Sequence, residues 1–113
     1  MVFLLLGLNA QAQLNMTYKS DVQYGDDKRL SDVWGYAADG REYALVGVVD
    51  GVSIIDVTDP ENPADLGFAS GASSNWRDIK TYAGYAYITN ETGEGLMVID
   101  LNNLPTPITD EDY

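Results

Sequence analysis

Short apolar segments alternate with polar connections along most of the chain. Between residues 32 and 101 the segments are rich in Val, Ile and Tyr, and the connections are rich in Gly, Asp, Asn and Pro. Apolar runs of this length and composition are typical of β-strands. We predict strands over residues 32–37, 43–49, 52–57, 65–69, 77–82, 85–89 and 96–101, with no long helix among them.

The apolar segments occur twice in the same order, at offsets of 46, 42 and 44 residues. Four short antiparallel strands at a period near 44 residues indicate a propeller blade packed between neighbours. An immunoglobulin-like sandwich is the alternative, since its roughly seven strands suit the length, but it does not explain the repeat. The repeated pairs are residues 32–36 and 78–82, 43–46 and 85–88, and 51–57 and 95–101.

We therefore predict an all-β protein, a β-propeller fragment of about two four-stranded antiparallel blades in an incomplete ring. Blade 1 covers about residues 31–70, and a partial blade 2 covers about residues 76–113. Residues 13–30 form an N-terminal segment, in which 16–24 are a candidate outer strand that closes a ring. Because a ring needs about 4 to 8 blades, two blades leave a sheet face and sheet edges open to association.

Two dipeptides predict tight turns inside hairpins. Asp50-Gly51 lies between two apolar runs, and an Asp-Gly pair supplies the positive φ angles that a two-residue hairpin turn requires. Ala83-Gly84 is expected to form a tight turn in the first hairpin of the second unit, between the predicted strands 77–82 and 85–89.

The first 18 residues carry no charged side chain. An apolar run at 2–8 is followed by Ala10-Gln11-Ala12, the spacing of small residues that signal peptidase accepts. We interpret residues 1–12 as a signal peptide without its basic start. We expect the chain to be exported to the cell surface or the extracellular space, or to the periplasm. The mature protein is expected to begin at Gln13, after cleavage behind Ala12. The alternative is a buried strand or short helix of the fold.

Charge and composition exclude several functions. Eighteen Asp and Glu against six Lys and Arg give a net charge of -12, which disfavours nucleic acid and anionic membrane surfaces as partners. The absence of Cys and His excludes disulfides, thiolate nucleophiles, Cys/His zinc sites and an imidazole base. No apolar run reaches the roughly 20 residues of a membrane-spanning helix, so we expect no membrane insertion within this chain and place any anchoring segment beyond it.

Two motifs carry a resemblance to a known family. Residues 51–63 (GVSIIDVTDPENP) resemble the repeat of LVIVD-repeat proteins, and residues 96–101 (LMVIDL) resemble its core without the Asp-Pro turn. Residues 31–36 and 73–82 resemble the choice-of-anchor B group within that family. The resemblance implies an extracellular bacterial propeller, often tethered by a C-terminal segment, with no established catalytic residues. This chain is far shorter than that pattern, and we expect any such tether to lie beyond it.

Trp76, Arg77 and Asp78 form the candidate binding site. Trp and Arg are enriched at binding hot spots, and Asp78 is placed to hold the guanidinium. The structural alternative is that Trp76 fills space between blades while Arg77 and Asp78 pair along the channel wall.

Three aspartates are predicted to be structural. Asp56 and Asp100 end the third strand of each unit, where a side chain can accept the backbone N–H two residues on and start a turn. Asp59 is assigned to the connection that follows. The oxygen-rich loops at 59–62 and 90–94 could hold calcium, yet neither has the alternating spacing of a calcium loop. We predict no metal and no cofactor, with calcium as the alternative.

Two classes of function follow. The first is an exported, non-catalytic binding or scaffold module for a protein or carbohydrate ligand, without catalytic residues. The second is a carboxylate-dependent, carbohydrate-active propeller enzyme or lyase, with Asp32, Asp78 or a loop Glu as acid or base. The lack of His and of any unrepeated polar cluster favours the first.

Overall fold

The fold is all-β in the part of the chain that the structure describes. A computed structural model describes residues 15–26 and 28–113, and no helix occurs among them. The strands match the predicted ones to within about two residues at each end. They are β1 Leu30–Ala38, β2 Arg41–Val48, β3 Gly51–Asp56, β4 Ala64–Ser70, β5 Ile79–Tyr82, β6 Tyr85–Ile88 and β7 Met97–Asp100.

The strands form two antiparallel sheets, each connected in sequence order. The first sheet has the order β1-β2-β3-β4 and the second has the order β5-β6-β7. Each sheet corresponds to one repeat, and the two are open rather than closed into a barrel. This is the arrangement of a partial propeller, and the predicted fold class is confirmed.

The residues after β7 lie against both sheets instead of forming a fourth strand of the second. The Ile108 N–H donates to the carbonyl of Leu66 in β4 at 2.8 Å, and the Asp100 N–H of β7 donates to the carbonyl of Asp112 at 2.8 Å. This segment therefore links the outer edges of the two sheets.

The N-terminal segment is attached to the first sheet by side chains. Lys19 forms an ion pair with Glu61 at 2.9 Å, the Ser20 hydroxyl donates to the Pro60 carbonyl at 2.7 Å, and Lys28 pairs with Asp50. Residues 16–24 have no strand pairing here. A ring-closing strand would pair with a different blade, so that role stays a prediction, and the proposed signal peptide at 1–12 lies outside the described residues.

The turn chemistry differs from the prediction at one hairpin. Asp39-Gly40 (φ 51° and 74°) and Ala83-Gly84 (φ 51° and 80°) have the two positive φ angles of a tight hairpin turn. Asp50-Gly51 does not, and the expectation there is wrong: the β2–β3 turn is at residues 49–50, and Gly51 is the first residue of β3. Gly51 is required for space, because a Cβ would collide with the β4 backbone and with the Phe68 ring.

The core lies between the two sheets. Side chains from one face of the first sheet meet Ile79, Ile88 and Ile99 of the second, all fully buried. Strand β3 is buried along its whole length, as predicted for a middle strand. No helix of the described residues is long and apolar enough to cross a membrane.

Ile99→Ala should lower the free energy of unfolding by about 2–5 kcal/mol, because it leaves a cavity in the core between the sheets. Asp100→Ala removes a turn hydrogen bond from the Asn102 N–H (2.8 Å) and should cost only about 1 kcal/mol. Urea denaturation followed by far-UV circular dichroism measures both. Equal, negligible effects would contradict the placement of Ile99 in the core.

Candidate functional site

The candidate site lies at the end of the two sheets where β1 and β5 begin. Arg29, Leu30, Asn75 and Trp76 line a shallow cavity of about 330 Å³ there, and we call these four residues the Trp76 mouth. Trp76 is 64% exposed and Leu30 is 56% exposed. A large aromatic ring and an aliphatic side chain are therefore held side by side in solvent.

The repeat explains why these four residues converge. Arg29-Leu30 precedes Asp32 by the same spacing as Asn75-Trp76 precedes Asp78, so both pairs stand at the start of a first strand. Arg29 Nη1 donates to Asn75 Oδ1 at 2.8 Å and joins the two equivalent positions. The sequence analysis identified Trp76 but missed Arg29 and Asn75. Extending the repeat three residues toward the N-terminus would have found them.

Arg77 lies beneath the mouth and braces it. Its side chain is buried, with Nε donating to the carbonyl of Val48 at 2.8 Å and Nη2 donating to the carbonyls of Val49 (3.3 Å) and Ala72. Burial lowers the pKa of the guanidinium from its ordinary value, although an arginine stays charged in a folded protein. The buried charge thus connects the β2–β3 turn to the connection that precedes β5.

Glycines make room for this side chain. A Cβ on Gly47 would lie 3.4 Å from the Cβ of Arg77 and 2.8 Å from Ser31 Oγ. A Cβ on Gly71 would lie 3.8 Å from both terminal nitrogens of the guanidinium and 2.5 Å from the methyl group of Met97. A Cβ at either position would therefore be in ordinary contact with Arg77 and would crowd Ser31 or Met97.

A buried serine fixes the backbone around Trp76. The Ser74 N–H donates to the Val49 carbonyl at 2.8 Å, and its hydroxyl donates to the Trp76 carbonyl at 2.8 Å. The same hydroxyl accepts the Glu91 N–H at 3.1 Å. Three loops are joined at this point, so the mouth is held in shape by its own hydrogen bonds.

The structure separates the three residues predicted to act together. Trp76 is in the mouth, Arg77 is under it, and the exposed Asp78 carboxylate pairs with Lys80 at 2.7 Å. The suggested pairing of Arg77 with Asp78 is wrong in both forms in which it was considered, because backbone carbonyls take the guanidinium. The binding role of Trp76 stays a prediction.

Asp32 connects the two sheets. Its Oδ1 accepts the Val33 N–H at 2.9 Å, and its Oδ2 accepts the Ile79 N–H of β5 at 2.8 Å. Both carboxylate oxygens are therefore occupied by backbone donors, and we call the bond to Ile79 the Asp32 clasp.

The Trp34 side chain reinforces the clasp from the same strand. Its indole N–H donates to the Thr81 hydroxyl at 2.9 Å, and Lys80 Nζ lies 4.5 Å from the centre of its ring. The first strands of the two repeats are thus held together by polar contacts as well as by the core.

The three turn aspartates accept the hydrogen bonds expected of them. Asp56 accepts the Thr58 N–H, Asp59 accepts the Glu61 N–H, and Asp100 accepts the Asn102 N–H, at 2.9, 3.0 and 2.8 Å. Hydrogen bonding from Thr58, supported by the Arg41 guanidinium, lowers the pKa of Asp56 although its burial opposes this. Hydrogen bonding from Asn62 lowers the pKa of Asp59. These carboxylates are committed to the backbone of their turns.

The oxygen-rich loops offer little to a cation. Both carboxylate oxygens of Asp59 accept bonds within its own turn, from the Glu61 N–H and the Asn62 amide. Within residues 15–26 and 28–113, no group of three or more acidic side chains converges on a common point. Calcium binding stays an untested alternative.

Comparison with known families identifies the repeat. The LVIVD repeat model matches residues 33–68 and 74–113, more than half of the chain. The chain belongs to the LVIVD repeat family. Each LVIVD match corresponds to one sheet, the first covering most of β1–β4 and the second covering β5–β7 with the segment that follows. No curated protein and no solved structure matched the chain.

The two arginines at the Trp76 mouth of this LVIVD-repeat protein are expected to differ in their effect on stability. Arg77→Ala leaves buried carbonyls without a donor and should lower the free energy of unfolding by about 1.5–3 kcal/mol, the range for hydrogen bonds to a charged group. Arg29→Ala, at an exposed position, should change it by less than about 1 kcal/mol. Urea titration of both variants gives the comparison. Similar values for the two would show that Arg77 does not act as a brace.

Proposed function

We propose that this LVIVD-repeat chain is an exported, non-catalytic binding module whose contact surface is the Trp76 mouth. The supporting observation is an indole ring, 64% exposed, held on a hydrogen-bonded frame beside a guanidinium. A rigid aromatic ring loses little conformational entropy when a ligand packs on it, and Trp and Arg dominate measured binding hot spots.

The chemistry of the mouth favours a ring-sized group that carries hydrogen-bond acceptors. A cavity of about 330 Å³ is at the lower end of the range for small-molecule pockets, and it is open to solvent. The indole supplies a flat apolar face, Arg29 supplies charged donors, and Asn75 fixes the arginine. A sugar unit of an extracellular polysaccharide has both a face that stacks on an aromatic ring and acceptors around its rim. We therefore propose carbohydrate as the ligand class.

The carboxylates considered for catalysis have other partners. Asp32 uses both oxygens on backbone N–H groups, and Asp78 is paired with Lys80 in solvent. A general acid or base has to reach the substrate with an oxygen that is available for proton transfer. These contacts support a binding role over the carboxylate-dependent enzyme.

The location of action is part of the same proposal. The uncharged, apolar start of the chain and the Ala10-Gln11-Ala12 pattern support export, and the motifs at 31–36 and 73–82 support a place in the choice-of-anchor B group at the cell surface. An extracellular polysaccharide is a ligand that a module at this location would meet.

Binding is tested with two polysaccharide probes, carboxylated polygalacturonate and neutral dextran, by isothermal titration calorimetry at about 0.15 M salt to screen the acidic chain. Trp76→Ala should weaken binding at least about tenfold, and Arg29→Ala should weaken binding of polygalacturonate more than binding of dextran. Tyr18→Ala is the matched control, since Tyr18 is an exposed aromatic residue whose neighbours Lys19 and Ser20 bond to the β3–β4 connection, away from the mouth.

Three outcomes would count against the proposal. Failure of both polysaccharides to bind the wild-type chain is the first, and equal binding by the Trp76→Ala and Tyr18→Ala variants is the second. Release of new reducing ends that is lost in Asp32→Asn or Asp78→Asn would instead support the enzyme.

Export is tested by expressing the chain in a bacterial host and sequencing the N-terminus of the protein recovered outside the cytoplasm. We expect Gln13 as the first residue, because cleavage follows the small residues at 10 and 12. An Ala12→Arg variant should block cleavage, since an arginine does not fit the pocket for small side chains. Protein that retains Met1 and stays in the cytoplasm would contradict the proposal.

A further inference from the structure

The contact between the two sheets joins unlike faces. The first sheet contributes one face, carrying Trp34, Tyr43, Leu45 and Ile54, which we call the docking face. The second sheet contributes the opposite face of its own repeat, carrying Ile79 and its neighbours, which we call the receiving face. A contact of this kind is heterologous, so each further sheet could be added by the same geometry.

The second sheet has a docking face of its own, and it is exposed. The repeat places Lys80, Tyr82, Tyr85, Tyr87 and Val98 at the positions that form the docking face of the first sheet. Strand pairing puts Lys80, Tyr87 and Val98 in one cross-strand row and Tyr82 beside Tyr85 in the next. Tyr82 is 77% exposed and Val98 is 40% exposed. An apolar and aromatic surface is therefore presented to solvent.

The receiving face of the first sheet is uncovered along β1 and β2. Val33 corresponds to Ile79 in the repeat, yet Val33 is 65% exposed where Ile79 is fully buried. Two grooves of about 270 and 310 Å³ flank Val33, one reaching Gly35 and Ala44 and the other reaching Val46. The N-terminal segment bonds through its side chains to the β3–β4 connection and to Asp50 of the β2–β3 turn, and these bonds do not involve Val33 or Val46.

The groups that form the Asp32 clasp within the chain have counterparts on its two uncovered faces. The Asp32 clasp takes the N–H of Ile79, and Asp78 occupies the place of Asp32 in the second repeat. The N–H that corresponds to that of Ile79 is the Val33 N–H, which donates to the carboxylate of the preceding residue. Asp78 of one copy and Val33 of another are therefore complementary.

We propose that a second copy of this chain docks head to tail, with the exposed face at Tyr82 and Val98 of one copy on the receiving face at Val33 of the next. Asp78 accepts the Val33 N–H across this contact, as Asp32 accepts that of Ile79 within the chain. Each added copy repeats the contact that joins the two sheets within the chain. This assembly is independent of ligand binding at the Trp76 mouth.

Sedimentation equilibrium of the full chain over a range of concentrations tests the proposal. We expect the wild type to associate, and Val98→Arg or Val33→Arg alone to be monomeric, because each blocks one of the two unlike faces. An equimolar mixture of the two variants should form a one-to-one dimer, since one retains the docking face and the other the receiving face. Asp78→Ala should weaken association about tenfold or more.

Thr106→Arg is the control, because it adds the same charge at an exposed site outside both faces, and it should associate like the wild type. Far-UV circular dichroism checks that each variant is folded, and Tyr82→Arg replaces Val98→Arg if the latter is not. A wild type that is monomeric throughout, or a mixture that stays monomeric, would overturn the proposal. If Val98→Arg is monomeric while Val33→Arg still associates, the docking faces of two copies pair with each other, and the proposal of unlike faces is wrong.

Discussion

The packing of one sheet on the next is the interaction on which the rest of this structure depends. The second sheet has three strands of four residues each, and its apolar face has to be buried against another element. Its apolar side becomes a core only because Leu45 and Ile54 of the first sheet cover it. The Asp32 clasp sets the register of this contact, since its two oxygens join the first strands of neighbouring repeats.

The candidate site is a product of the same packing. Arg29 and Asn75 belong to different repeats and meet only because β1 and β5 are held side by side. Arg77 then fixes the two loops under the mouth by donating to their carbonyls, and the charge of Asp50 opposes the effect of burial on the guanidinium. A buried guanidinium that satisfies backbone acceptors stabilises the loop geometry, and the Trp76 side chain stays exposed above it. The proposed ligand contact at Trp76 and the stabilising contacts of Arg77 thus belong to adjacent residues with different surroundings.

A heterologous contact between two repeats leaves one unlike face of each repeat uncovered. The first sheet keeps an uncovered strip at Val33, and the second keeps one at Tyr82 and Val98. Burying these apolar surfaces against a complementary surface is favourable in water, and the two uncovered strips are the two halves of such a contact. The proposed assembly and the proposed ligand binding therefore use different parts of the molecule, the sheet faces for the first and the loops at the strand starts for the second.

The sequence by itself determined the local structure of this LVIVD-repeat protein. Apolar runs bounded by Gly, Asp and Pro, returning after about 44 residues, were enough for the strands, the two-unit organisation and the turn role of Asp56, because these depend on neighbours in the chain. Only the tertiary structure decided what the polar residues at the strand starts do. Arg77 looked like a binding residue and is a brace, Asp32 looked like a possible acid and is a clasp, and Arg29 became part of the mouth. Their roles are set by residues 28 to 47 positions away, and those contacts exist only once one sheet has packed on the other.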